Sequence, residues 1–348
     1  MSEEDSDAEG EGPQLSLFER RQLSRINREL TPASMGDASP DELLFQHTVL
    51  CQASLPYRNP GDEVREWSRK NGRAHLEIIA GKAMHPEREE LVPIGLPFGP
   101  KPRLILSHLN AEALRTGSPE IEVEASLTAF IKRIGLDANG YTVRGVKDQL
   151  TRLSASIVRL GVVTETENVK RARTATMPFV ESFDLWFPKD DRQRVLWPST
   201  VNLNPTYFES LQRHAVPLHP AALGALSNSA MGLDIYAWLA QRLHRIPQDA
   251  PQFITWKAVK DQFGWHYGRM DNFRRVFSDT LKTVLRQYPA ANHAIEADEK
   301  GLALRHCAPP VLYRGSPVVR GGRRLVDPRT ETPGLPAPVP AIEENPAD

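Results

Sequence analysis

The feature that most constrains this chain is an order of short and long segments that occurs twice along it. In the first occurrence Pro102 opens a helix that carries Arg103, Leu104, Leu106, Leu109 and Leu114 and ends near Gly117. Ile121 and Val123 read as a short extended piece. Ser126 then caps a brief helix whose apolar face is Leu127, Phe130, Ile131 and Ile134. Gly135 and the Asp137–Gly140 turn stop it. A longer helix is expected from Val143 to Leu160, because Val146, Leu150, Leu153, Ile157 and Leu160 recur at steps of four, three, four and three. Residues 162–169 and 176–185 read as strands of a hairpin.

The second occurrence begins with a helix from Ser229 to Leu243, with Leu233, Tyr236, Ala237 and Leu239 on its apolar side. Phe253 and Ile254 are the extended piece, and Thr255 caps a brief helix with Trp256, Val259 and Phe263. That step of three then four repeats the one at Leu127, Phe130 and Ile134. Gly264 and Gly268 mark a turn. The next long helix presents Met270, Phe273, Phe277, Leu281 and Val284 and stops before Pro289. Ala294–Ile295 and Leu302–Leu304 flank the turn Asp298–Gly301, which is a hairpin signal.

Helix, short strand, short helix, turn, long helix and hairpin is the order of a winged helix, a helix-turn-helix closed by a β wing. The expected fold is therefore α+β, mainly α, with two tandem winged-helix domains at 41–198 and 199–310. The same pattern also allows a single mixed α+β domain of ordinary helices and hairpins. Residues 1–40 are expected to be a disordered acidic tail and 311–348 a Pro-rich one. The first twelve residues carry Glu3, Glu4, Asp5, Asp7, Glu9 and Glu11 and no base, while Pro336, Pro338 and Pro340 alternate with small residues near the other end.

Charge bears on function through its distribution. The chain holds 43 basic and 44 acidic groups, so with the six acids of the first twelve residues set aside the remainder is basic by five. A modestly basic body suits nucleic acid and many other partners. No apolar run approaches the roughly eighteen residues that cross a bilayer, and the acidic start is unlike a signal peptide. Cys51 and Cys307 cannot build a disulfide framework and suit a reducing compartment, so the expectation is a soluble cytoplasmic protein with no membrane partner.

A recognition helix needs one buried face and one face that reaches phosphates or base edges. On the first long helix the non-core positions include Arg144, Lys147, Asp148, Thr151, Arg152, Ser156 and Arg159. Short Ser and Thr side chains let a helix sit deep in the major groove, and Arg offers a bidentate fork for guanine. The second long helix offers Arg269, Arg274, Arg275, Ser278, Lys282 and Arg286, of which Arg275, Ser278, Lys282 and Arg286 form one stripe with Asp271 and Asp279 as acidic exceptions. A solvated basic face explains either helix alone. Its repetition at equivalent places favours DNA. Arg171 and Arg173, near the first hairpin's turn, are positioned for a wing on phosphates or for a loose loop.

Catalytic and metal signatures are sparse, so neither enzyme activity nor a cofactor or metal is expected. There is no GxxxxGK[ST] loop, and GLPFGPK at 95–101 lacks the spacing to cradle phosphates. Asp184, Asp190 and Asp191 are scattered for a two-metal site, and His214 and His219 have no third ligand. His266-Tyr267-Gly268-Arg269 has the His-x-x-Arg spacing of enzymes that cleave DNA through a tyrosine, with Tyr288 as the conceivable nucleophile. Four residues are a weak match.

Three stretches carry a resemblance to a known family. LPFGPKPR at 96–103 with the helix after it, GVKDQLTRL at 145–153, and SAMGLDIYAWLAQRL from Ser229 onward resemble signatures of RepA-type plasmid replication initiators, with Met231 where the family pattern has leucine. The likeness spans about 41–310. It implies two winged helices that bind repeated sites in double-stranded plasmid origin DNA, promote local opening, and recruit the host initiator and helicase without hydrolysing nucleotide. It places Lys147, Gln149 and Arg152 in the first recognition segment and Trp238 in a packing helix, and it implies a switch between homodimer and monomer. The competing readings are a winged-helix transcriptional regulator without initiator activity and a partitioning or scaffold protein.

Gln14-Leu15-Ser16-Leu17-Phe18 resembles the QLxLF pentapeptide by which bacterial proteins bind the replicative sliding clamp. Leu17 and Phe18 would fill an apolar pocket, Leu15 would add a smaller contact, and the Gln14 amide would set register. The other reading is that these residues begin an amphipathic helix packed on the body.

Overall fold

The structure, a computed structural model, describes residues 38–72, 74–85, 88–122, 127–165, 170–183 and 200–311. The tails, the Gln14–Phe18 segment, Ser126 and the Asp184, Asp190 and Asp191 acids lie outside the described residues. What is described is a mixed α/β structure.

In chain order the first half contains β1 (Leu44–His47), α1 (Thr48–Gln52), β2 (Glu66–Asn71), β3 (Ala74–Ile79), β4 (Lys82–His85) and β5 (Glu90–Pro93). It continues through α2 (Pro100–Thr116), β6 (Glu120–Glu122), α3 (Leu127–Arg133), α4 (Gly140–Ala155), β7 (Ile157–Glu165), β8 (Lys170–Pro178), β9 (Val180–Phe183) and β10 (Thr200–Leu203). The second half follows with α5 (Pro205–His214), β11 (Ala215–Leu218), α6 (Pro220–Ala225) and α7 (Ala230–Arg242). It ends with β12 (Gln252–Thr255), α8 (Trp256–Phe263), α9 (Met270–Gln287), β13 (Ile295–Ala297) and β14 (Gly301–Leu304).

Two helices lie at the centre. In α2, Pro100 and Pro102 sit in the first turn, where their missing N–H groups cost nothing, and Gly117 ends the helix at φ 69 with its N–H on Ala113 O. Every residue from Pro102 to Leu114 is buried. Asn110, fully buried among them, is satisfied at both ends: its Nδ2 donates to Phe45 O at 3.1 Å and its Oδ1 accepts from the Tyr207 hydroxyl at 3.1 Å. The α7 helix is capped by the Ser229 hydroxyl on Gly232 N and is buried from Ala230 to Gln241. Trp238 is fully buried and meets Phe263 edge to face, the structural role expected of it.

Two three-stranded sheets have the same order. In the first half it is β6-β10-β9, and in the second β12-β14-β13, so in each the first strand pairs with the last and the last with the middle one. The second-half elements follow the sequence reading closely. Thr255 caps α8 as expected, its hydroxyl accepting from Ala258 N; Phe273, Phe277, Leu281 and Val284 are buried; and α9 ends at Gln287, ahead of Pro289.

The first half departs from expectation in three ways. The long helix ends at Ala155, not Leu160, because past Ser156 the residues follow a strand's period of two and not the helical steps of three and four. Val158 and Leu160 turn inward while Ile157 and Arg159 face out, and pairing of Ile79 with Ile157 through Ala74 with Val162 holds that strand in place. The hairpin is likewise earlier and longer, running from Ile157↔Pro178 to Glu165↔Lys170. It joins β3 and β2 in a four-stranded sheet of order β2-β3-β7-β8, leaving β9 and β10 to complete the three-stranded sheet. Finally, Thr200–Leu203 pairs with β6 and β9, so the strand just past the expected border at 199 belongs to the first half. Conversely, Leu44–His47 pairs antiparallel with Ala215–Leu218, from Leu44↔Leu218 to His47↔Ala215, which threads the N-terminal strand into the second half.

Candidate nucleic-acid interface

The three stretches that carried the family resemblance meet in space, and they do so as a buried frame. Arg103 in the first turn of α2 forms a two-pronged ion pair with Asp234 of α7, Nε to Oδ1 at 2.6 Å and Nη2 to Oδ2 at 2.8 Å. Its remaining protons go to Gly99 O (2.6 Å), Leu55 O (2.7 Å) and Pro56 O (3.4 Å). Both side chains are more than nine-tenths buried, and a buried charge pair is tolerated only with such complete hydrogen bonding. Gln149 of α4 is also buried; its Oε1 accepts from Phe98 N at 2.8 Å and its Nε2 donates to Asp148 Oδ2. Arg152 donates through Nε to both Asp148 oxygens at 2.9 and 3.0 Å. Its Nη1 reaches Asp62 Oδ1 and Leu96 O, both at 3.3 Å, with the guanidinium over the Phe98 ring.

These contacts change the inventory of the first long helix. Gln149 and Arg152, expected at base edges, instead lock the LPFGP segment and the 54–62 loop against α4. Ser156 is the buried residue that ends the helix, its hydroxyl donating to Arg152 O at 2.6 Å. Arg159 lies on β7, paired with Glu77 of β3. What remains outward on α4 is Arg144, exposed, and Lys147, half-buried. The turn of α4 that carries them begins with Asn139, whose Oδ1 accepts from Thr142 N at 3.0 Å. Lys101, which the sequence reading passed over, lies alongside: its Nζ is 5.2 Å from the Tyr141 ring centroid, and a Cβ on Gly145 would stand 2.9 Å from its Cε. Burial lowers the Lys101 ammonium's pKa and Asp148 opposes that shift. Tyr141 itself is 75% exposed, the largest exposure among the exposed large apolar residues.

On α9 the buried Phe273, Phe277, Leu281 and Val284 turn the opposite face to solvent. Arg275, Lys282 and Arg286 are exposed there and Ser278 is half-buried. Arg275 contacts Asn272 Oδ1 at 3.1 Å and Lys282 contacts Asp279 Oδ1 at 3.3 Å. Arg286 has no ion-pair partner among the described residues. Arg269 and Arg274, expected on the same helix but outside the stripe, make contacts of their own. Arg269 is bound to Asp271, whose hydrogen bond holds the Arg pKa above and the Asp pKa below their ordinary values. Arg274 lies 5.0 Å from the Trp256 ring centroid with Nη2 3.4 Å from Asp298 O, against the β13–β14 turn. Arg171 and Arg173 stand on β8 opposite Thr164 and Val162, beside the hairpin turn as expected, with their side chains outside the described residues.

Tyr288, the conceivable nucleophile, is fully buried, and its hydroxyl donates to Ala308 O; burial raises its pKa far above that of an ordinary phenol. Among the described residues no helix is long and apolar enough to cross a membrane.

No curated protein sequence matches the chain. Two solved structures resemble it in part. The RctB domains 2-3 (residues 155–483) align with a TM-score of 0.44 at 13% identity, covering 73% of this chain and 85% of that one. A selenomethionine derivative of domains 2 and 3 of RctB aligns with a TM-score of 0.44 at 12% identity, covering 77% and 98%. Residues 96–258, from the start of the LPFGPKPR stretch through α7 to the first turn of α8, match the family described as plasmid encoded RepA protein.

Proposed function

We propose that this chain is a plasmid replication initiator that binds repeated sites in double-stranded origin DNA through two winged-helix modules. The observation that carries this reading is the family match over 96–258, a span that contains all three stretches of the buried frame. The shared sheet order β6-β10-β9 and β12-β14-β13 supports assigning one module to each half, each with a long helix ahead of its closing strands. In this reading α4 presents Arg144 and Lys147 with Lys101 of α2 beside them, and α9 presents Arg275, Lys282 and Arg286. The β9–β10 pair, not β7–β8, is the first module's wing.

The protein acts by binding, without an active site of its own. Energy gained on two successive groove faces is available to distort adjacent DNA, and the host initiator and helicase enter there. Gln14–Phe18 supplies a separate docking peptide for the sliding clamp.

Footprinting of the cloned native origin tests the reading: periodic protection of repeats is expected, and absence of protection at any concentration short of non-specific coating overturns it. Arg275→Ala is expected to weaken repeat binding by about 1–3 kcal/mol if its fork reaches a base. Changing Leu17 and Phe18 to Ala is expected to abolish clamp binding while repeat binding persists. Undiminished clamp capture by that variant removes the docking assignment alone.

A further inference from the structure

An aromatic ring stands in water in the first turn of α4. Tyr141 is 75% exposed, and Arg144, three residues on, is exposed with it. Residues three apart share a helix face, and the opposite face is the buried one, with Thr142, Val146, Leu150 and Leu153. The ring is accompanied by a cation from another helix. Lys101 of α2 lies over it, Nζ 5.2 Å from the centroid. The lysine stem passes close to α4 at Gly145, where a Cβ would stand 2.9 Å from Cε and 3.0 Å from Nζ. A side chain at 145 would therefore push Lys101 off this course.

The surface combines an apolar ring with the cations Lys101, Arg144 and the half-buried Lys147. Its charge suits a polyanion, and its ring suits an apolar group carried by that polyanion. In the major groove of duplex DNA the base edges show polar atoms, and the one apolar group among them is the 5-methyl of thymine. A recognition helix meets base edges with its N-terminal residues. Helical side chains lean toward the helix N-terminus, which carries the Tyr141 ring ahead of α4.

We propose that Tyr141 is a specificity-determining residue of the first module, its ring packing on the 5-methyl group of a thymine while Lys101 and Arg144 hold nearby backbone phosphates. The inference rests on the DNA-binding reading and supplies a base contact that α4 otherwise lacks. Gln149 and Arg152, the polar side chains expected at base edges, are held inside the frame by Phe98, Asp148, Asp62 and Leu96.

The test compares binding of full-length protein to the cloned native origin made with thymidine and to the same duplex made with deoxyuridine, which lacks the methyl group. Burying one methyl at about 0.8 kcal/mol corresponds to about a fourfold change in affinity. Tyr141→Ala is expected to bring the thymidine-to-deoxyuridine affinity ratio about fourfold closer to one than in the wild type. Tyr141→Phe, which keeps the ring, is expected to retain the wild-type ratio. Equal ratios for wild type and Tyr141→Ala, with origin binding retained, overturn the methyl contact while the DNA-binding reading stands. A lower ratio in Tyr141→Phe equal to that of Tyr141→Ala also overturns it, since the hydroxyl and not the ring would then do the reading. Wild-type protein that protects neither duplex overturns both readings.

Discussion

Arg103 and Asp234 show how much a single buried pair decides. The guanidinium is held by one carboxylate and three carbonyls, so removing the carboxylate leaves a cation in a site built to exclude water. Asp234→Ala is expected to cost about 3–5 kcal/mol in urea unfolding, and Arg103→Met in the same chain to recover most of it. A loss below about 1 kcal/mol for the single variant would show that water reaches the pair. Arg152 makes the contrasting case. It sits on the helix proposed to face DNA, but its hydrogen bonds go to Asp148, Asp62 and Leu96, and its side chain is 11% exposed. Arg152→Ala is expected to lower stability by about 1–2 kcal/mol and to leave the ratio of specific to non-specific DNA binding as it was. A relaxed base preference at constant stability would return Arg152 to the recognition surface.

At the scale of elements, the helices of the second half are specified by signals that lie within them, whereas the end of α4 depends on a distant loop. A Cβ on Gly81 would stand 2.0 Å from Ala155 O, the carbonyl of the last residue of α4, and backbone cannot yield as a side-chain tip does. The same glycine's carbonyl accepts from Arg65 Nη2 at 2.7 Å and from Ile94 N at 3.0 Å, which holds the β3–β4 connection in place. Gly81→Ala is therefore expected to cost about 1–3 kcal/mol as overpacking, read as a lower thermal midpoint with helix content retained. An unchanged midpoint would mean that this connection is free to shift.

Across the whole molecule, the two halves are tied by β1 on β11 and by the Arg103–Asp234 pair, and two buried histidines lie in the same framework. His47 ends β1, accepts from Val49 N through Nδ1, and contacts Ser210 of α5 through Nε2 at 3.0 Å. Burial, with the His214 charge adding to it, lowers its pKa to about 3. His108 of α2 packs on Phe130 and is lowered to about 3 by burial and then by Arg133 and Arg115. Both are neutral when folded and take up a proton near 6.5 when unfolded. Their contribution is therefore intact above pH 6.5 and is lost as pH falls toward 3, by about 1.4 kcal/mol per pH unit for each group. Urea midpoints at pH 7, 6 and 5 are expected to fall in that order. His108→Gln, if it folds, should flatten the decline, and a pH-independent midpoint would contradict the buried, neutral assignment.

Local spacing was enough to specify α2, α3, α7, α8, α9 and the β13–β14 hairpin, because a helix's buried stripe, its Ser or Thr cap and its Gly or Pro stop all lie within a few residues of one another. The same spacing misplaced the end of α4, since Val158 and Leu160 fit a strand's period of two once a partner such as β3 is beside them. Sequence could mark Gln149, Arg152 and Arg274 as polar positions on helices but not what each would touch. Their partners at Phe98, Asp62, Leu96 and Asp298 are distant in sequence in all but one short step around Asp148. Tertiary structure alone decided which cations are spent inside the frame and which stay free for a ligand, because a charge is neutralised by what is near it in space.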